Sequence, residues 1–128
     1  MRNVTVAATQ MACDWDRAGN IRRGEKLVRQ AARQGAQIIL LQELFETPYF
    51  CIDQSAAHFE LATALNDNPA VNHFRAVARE LEVVLPISFF ERANNASYNT
   101  VAIVDADGSV LGIYRKTHIP NGPGYQEK

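Results

Sequence analysis

The sequence predicts an α/β fold whose strands run parallel at first and antiparallel later. Three observations predict it. An alternating stretch at residues 4–11, a helix-spaced stretch and the apolar run Ile38-Ile39-Leu40-Leu41 follow one another in the order of a βαβ unit. A second helix-spaced stretch opens at Asn68-Pro69. The last third then carries three β-rich runs divided by turn residues.

Each element has a local reason. Residues 4–11 alternate polar and apolar side chains, as a strand does. Between 17 and 34, Ile21, Leu27, Val28 and Ala31 recur near helical spacing, and Gly35 stands just past them as a stop. The run 37–41 is apolar at four successive positions and β-branched at two, which suits a strand buried on both faces.

Ser55 is placed to cap a short helix running through Leu65. Asn68 and Pro69 supply the cap and first-turn proline of the next helix, where Val71, Phe74, Val77, Ala78 and Leu81 form one apolar stripe fit to lie on a sheet. Residues 83–90 read as a strand, and Pro86, which has no ladder donor, predicts an edge or a bulge there. After a turn at Asn94-Asn95, residues 98–104 and 110–114 form a hairpin around Asp107-Gly108. From Thr117 onward two prolines and two glycines forbid further regular structure, so the sequence stops within a loop. The expectation is one domain over 1–128 with roughly five strands and three helices.

Composition narrows the function. With 47% hydrophobic and 21% charged residues and a formal net charge of −1, the chain is neither disordered nor built to bind nucleic acid. The first residues alternate where a signal peptide needs a continuous apolar stretch, and no run approaches the length of a membrane span. A cytoplasmic protein is expected, and Cys13 and Cys51 are expected to be free thiols.

Few residues are placed to carry chemistry. Glu43 follows directly on the buried run 38–41, and catalytic groups of open α/β sheets gather beyond the carboxyl ends of their strands. Glu46 lies three residues away, and position alone does not separate a general base from a loop carboxylate. Lys116 follows the last strand, where an ammonium can stabilise an oxyanion or simply be solvated. Cys13 and Cys51 qualify as nucleophiles by type, although free cysteines more commonly act as small buried apolar residues. His58, His73 and His118 are scattered; His118 with Glu43 is the one pairing that would ligate a metal, and no ligand cluster supports it. No G-x-S-x-G elbow, phosphate-binding loop or dinucleotide fingerprint is present.

Three segments together resemble the nitrilase superfamily of carbon–nitrogen hydrolases: Val6-Ala7-Ala8-Thr9-Gln10-Met11, Leu40-Leu41-Gln42-Glu43-Leu44-Phe45, and Tyr114-Arg115-Lys116-Thr117-His118-Ile119-Pro120. Within it, Pro48-Tyr49-Phe50-Cys51 and the ending Gly122-Pro123-Gly124-Tyr125-Gln126-Glu127-Lys128 resemble the branch that acts on N-carbamoylputrescine. The resemblance covers the whole chain. It implies the first part of an α-β-β-α sandwich, a domain cut before the nucleophilic cysteine, and members that pair through helices as homo-oligomers. It implies Glu43 as general base, Lys116 as oxyanion holder and Glu127 as a second active-site glutamate, with Tyr49 and Tyr125 beside a carbamoyl amine or amide substrate. Neither metal nor organic cofactor is implied. The family's cysteine, which sits beside tryptophan and aspartate after a further strand, has no counterpart here, so this chain alone is expected to be inactive. Half of a sandwich leaves strand faces uncovered, and poor solubility is expected of it in isolation. Two alternatives stay open: an amidase for another carbamoyl amine, ω-amide or nitrile, and a non-catalytic oligomerisation module.

Overall fold

The structure, a computed structural model, describes residues 3–120 together with 122 and 123. Strand β1 (Val6–Ala8) leads through helix α1 (Arg17–Arg33) to β2 (Ile38–Leu40), and β1 and β2 pair in parallel. Helix α2 (Pro69–Leu81) returns the chain to β3 (Leu85–Ala93), which pairs antiparallel with β4 (Ala96–Val104), and β4 with β5 (Val110–Arg115). A parallel bridge from Ile38 to Val84, with Ile39 N–H donating to Val84 O at 3.0 Å, joins the two pieces in the order β1-β2-β3-β4-β5. The α/β class, the opening βαβ unit, the five strands and the closing hairpins are as the sequence predicts.

The helices form where local signals place them. Asp16 accepts from Gly19 N–H at 3.0 Å and caps α1, while Gly35, with φ +90°, ends it. Asn68 accepts from Val71 N–H at 2.8 Å, and Pro69 takes the first turn of α2. Both helices cover one face of the sheet. Val28 from α1 and Val71, Phe74 and Val77 from α2 meet Ile39, Leu41, Leu85, Ile87, Phe89 and Val104 in the core. Phe74 is fully buried, which contributes about 1.5–3 kcal/mol. At Gly24 an added Cβ would come within 2.8 Å of Leu41 Cδ2, so α1 lies close against the end of β2.

The predicted helix from Ser55 to Leu65 is corrected. The segment instead forms two 3-10 turns, Ala56–Leu61 and Leu65–Asp67, and the Ser55 side chain makes no capping bond. No residue of Ala56–Leu61 is buried, so the segment has no apolar face to hold a full α-helix. Its fixed point is Thr63, whose N–H donates to Phe90 O at 3.1 Å and whose carbonyl accepts from Arg92 N–H at 2.9 Å along the β2-facing edge of β3, beyond the end of β2. Pro86 explains why that edge is open. Val84 directs its backbone groups toward β2, so the alternation turns the missing donor of Pro86 the same way, just past the last bond to β2. Among the described residues the register shift between paired strands lies at Ile103/Val104, not at Pro86.

β1 and β2 are shorter than predicted because a side chain replaces the ladder. Beyond Thr9 N–H to Leu40 O (2.9 Å), Met11 N–H donates to Gln42 Oε1 and Met11 O accepts from Gln42 Nε2, both at 2.8 Å. The face of the sheet away from the helices carries Val6, Leu40 and Tyr114, which are 69%, 47% and 59% exposed. That uncovered apolar face is the one the sandwich reading expects.

Candidate active site

β5 is antiparallel to β4 and β4 to β3, so β5 points the same way as β2 and β3. Glu43, just past β2, and Lys116, just past β5, therefore lie at the same edge of the sheet. β4 runs the other way and brings its early residue Asn99 to that edge, opposite Phe90 and bonded through its carbonyl to Lys116 N–H at 2.8 Å. The three side chains converge on one atom: Glu43 Oε1 accepts from Lys116 Nζ at 3.0 Å and from Asn99 Nδ2 at 2.7 Å. Lys116 is 30% and Glu43 45% exposed at the side chain, so an incoming molecule can reach both.

A cleft of about 600 Å3 opens beside this group. Lys116 and Asn99 form part of its wall, with Leu44, Phe50, Phe59 and Phe90 supplying apolar surface. Asp53, also in the wall, lies 2.5 Å from His58 Nε2, and the His58 ring stacks on Trp15 with centroids 5.9 Å apart.

The structure separates the two glutamates that spacing leaves equivalent. Glu46 is buried and does not line the cleft: it accepts from Arg17 at 2.9 Å, Asn68 Nδ2 at 3.0 Å and Ala70 N–H at 3.2 Å, the last at the start of α2. Asn20 Nδ2 donates to its carbonyl at 2.8 Å. Glu46 is thus a tie between the Glu43 loop and both helices.

Tyr49 packs half-buried against Leu44, Phe50 and Cys51, and the cleft wall beside those residues holds Tyr98 rather than Tyr49. Tyr125 and Glu127 lie outside the described residues. Cys51 is buried in the cleft wall. Cys13 sits behind Gln42, its Sγ 3.4 Å from Gln42 Nε2, and burial pushes its thiol up against the lowering effect of Arg23. A thiol so held stays protonated, the opposite of an activated nucleophile. Among the described residues no group of three or more His, Cys, Asp or Glu is placed to hold a metal ion, and no helix is long and apolar enough to cross a membrane. Asn99 is the site residue that sequence reasoning missed. Its signal was a polar side chain on the same face as Val101 and Ile103, legible only once the register with Lys116 is known.

Comparison with known proteins decides the family. Residues 5–128 match the carbon-nitrogen hydrolase family. The chain belongs to the carbon-nitrogen hydrolases. Among this chain's relatives, an N-carbamoylputrescine amidase from Oryza sativa is 55% identical over 98% of the chain and 42% of the relative. A further N-carbamoylputrescine amidase, from Arabidopsis thaliana, is 53% identical over 99% and 42%. A citrullinase from Francisella tularensis is 46% identical over the whole chain and 45% of the relative. The crystal structure of a carbon-nitrogen hydrolase from Helicobacter pylori superposes with a TM-score of 0.88 at 32% identity, covering 97% of this chain and 43% of that one. A nitrilase-superfamily member from Saccharomyces cerevisiae, at 22% identity and a TM-score of 0.76 over 91% and 45%, shares the fold. The chain thus spans less than half the length of the relatives it matches.

Proposed function

We propose that this chain supplies the acid–base half of an amidase that cleaves the ureido C–N bond of N-carbamoylputrescine, giving putrescine, carbon dioxide and ammonia with the uptake of one water. The observation that carries the reading is the convergence of Lys116 Nζ and Asn99 Nδ2 on Glu43 Oε1 at the wall of the cleft. A ureido carbon is a poor electrophile, so its hydrolysis needs a generated nucleophile and a neutralised tetrahedral oxygen. Glu43 takes the proton of a cysteine thiol supplied from outside these residues and later returns it to the departing ammonia. Lys116 turns from Glu43 toward the oxyanion as negative charge passes there, and Asn99 keeps the carboxylate in place. The thioester-type intermediate is then cleaved by water. Glu127, Tyr49 and Tyr125 enter as the further active-site glutamate and the substrate neighbours that the family resemblance implies. Pairing with a second copy and a cytoplasmic site of action belong to the same proposal.

The cleft supports a cationic substrate over a neutral one. Asp53 is the one carboxylate among its described lining residues, and Phe50 and Phe59 stand nearby. A carboxylate with aromatic faces suits a terminal ammonium. The test is ammonia release by the full-length protein from N-carbamoylputrescine, citrulline and N-butylurea, the last lacking only the terminal amine. The expected order places N-carbamoylputrescine first, with Asp53→Asn raising KM for it and not for N-butylurea. Equal kcat/KM for N-carbamoylputrescine and N-butylurea would overturn the substrate assignment, and a preference for citrulline would transfer the site to ureido amino acids.

A further inference from the structure

Between Glu43 and the rest of the fold stands a backbone conformation that an L-residue rarely adopts. Leu44 has φ +51°, in the left-handed region, yet it is not glycine. It is buried against Phe50 and Cys51, so its side chain cannot be exchanged for solvent. Its N–H donates to Ser88 Oγ at 3.0 Å, a bond between residues 44 positions apart that crosses from the Glu43 loop to the middle of β3. Ser88 is itself buried, between Pro86 and Phe90 on the sheet face away from the helices. A serine there has no packing advantage over alanine or valine, and its neighbour across the register is Val101. What the hydroxyl adds is a partner for a buried N–H that would otherwise have none in the ladder.

We propose that Ser88 is a positioning residue for Glu43: its hydroxyl holds Leu44 in the left-handed conformation that turns the Glu43 carboxylate toward Lys116 and Asn99. On the other side of Glu43 the Gln42 amide, bonded twice to Met11, fixes the preceding residue, so Glu43 is set between two anchors. Residues in such conformations persist where surrounding bonds over-determine them, and they gather at functional sites. Removal of the hydroxyl frees Leu44 to leave the left-handed region, and the carboxylate then moves from the point where a thiol proton must be taken.

This proposal rests on the amidase reading, and two measurements keep the two apart. In the full-length protein, Ser88→Ala is expected to lower kcat for N-carbamoylputrescine by roughly tenfold to a hundredfold, the scale set by a misplacement of about 1 Å. KM should change by less than kcat, since of the cleft wall it is Leu44 that moves while Asp53, Phe50 and Phe59 stay in place. Ser88→Thr keeps the hydroxyl and is expected to restore most of the rate. If Ser88→Ala does not fold, Ser88→Cys, which keeps the shape and weakens the acceptor, is expected to show the same loss. A folded Ser88→Ala or Ser88→Cys with the parent's kcat would overturn the proposal, as would a folded Ser88→Thr no better than Ser88→Ala. Crystal structures of the parent and of Ser88→Ala or Ser88→Cys read the same claim without turnover. Leu44 should lose its positive φ and Glu43 its bonds to Lys116 and Asn99. Unchanged geometry at both residues would sink the positioning role even if the parent hydrolysed no ureido substrate at all.

Discussion

Glu43 Oε1 lies 3.0 Å from Lys116 Nζ, joining two side chains 73 positions apart that each leave the same end of the sheet. The pair is partly exposed, so its attraction is screened and adds little to stability. Its consequence is geometric. A carboxylate and an ammonium already in contact at the cleft wall can divide the labour of one reaction, the first handling a proton and the second a developing negative charge.

Removal of either group should therefore stop turnover without unfolding the protein. Glu43→Gln in the full-length protein is expected to lower kcat on the order of 10²- to 10⁴-fold, the usual worth of a positioned base. Lys116→Met should lose about 10²- to 10³-fold as an oxyanion donor does. Steady-state ammonia release gives the rates, and circular dichroism checks the fold. Turnover by Glu43→Gln within a few-fold of the parent would take Glu43 out of the mechanism.

Asn99 makes a weaker but separable contribution. Its amide is a second donor to the atom that Lys116 bonds, so Asn99→Ala leaves Glu43 one of these two partners. A loss of roughly tenfold in kcat is expected, the worth of about one hydrogen bond to a charged group. Asn99→Asp sets a like charge beside Glu43 and should be the worse variant of the two. Should Asn99→Asp match the parent, the amide has no part in holding the base.

The contrast between Asn99 and its neighbours shows what was legible in the sequence. Helix α2 was readable because its signals are local: Asn68 and Pro69 start it and the Val71-Phe74-Val77-Ala78 stripe repeats at helical spacing. The β-hairpins were readable because Asn94, at φ +54°, and Gly108, at φ +81°, are residue types that accept such angles. Glu43 and Lys116 were reached through strand ends and family resemblance. Asn99, Ser88 and the buried tie made by Glu46 were not, because each depends on contacts between distant segments: Asn99 on its register with Lys116, Ser88 on the Glu43 loop, and Glu46 on Arg17, Asn68 and Ala70. The segment from Ser55 to Leu65 failed for the same reason. Its course is set by Thr63 pairing with β3 and by Phe59 and Phe50 reaching Phe90, not by its own spacing.

Glu46 should matter to stability where Glu43 matters to rate. Its buried carboxylate answers Asn68 and the first turn of α2 while also receiving Arg17. Glu46→Ala leaves buried donors without that acceptor and is expected to cost about 1–3 kcal/mol. Urea unfolding of the full-length protein followed by circular dichroism measures it. A change below about 0.5 kcal/mol, typical of a neutral surface substitution, would mean that water replaces the carboxylate without loss.

Glu91 gives the fold a defined sensitivity to acid. It is buried, accepts two bonds from Arg115 at 2.7 and 2.8 Å and one from Thr100 at 2.7 Å, and Arg115 in turn lies 4.1 Å above the Tyr98 ring. The Arg115 guanidinium holds the Glu91 carboxyl below its ordinary value, with Thr100 assisting and burial opposing. A carboxyl lowered in the folded state binds fewer protons than the unfolded chain, so its stabilisation is present above the unfolded pKa of about 4.3 and is lost as pH falls through the folded value. The melting temperature of the full-length protein should hold between about pH 5 and 8 and drop below about pH 4.3. Glu91→Gln should lower it at neutral pH and flatten part of the acid decline, because a neutral amide has no proton to take up. Arg115→Gln should lower it further at neutral pH by leaving the carboxylate buried without its cation. Melting curves across this range decide the point: an acid decline as steep in Glu91→Gln as in the parent would assign the sensitivity to other carboxylates, with Glu25, lowered chiefly by Arg29, the next to test.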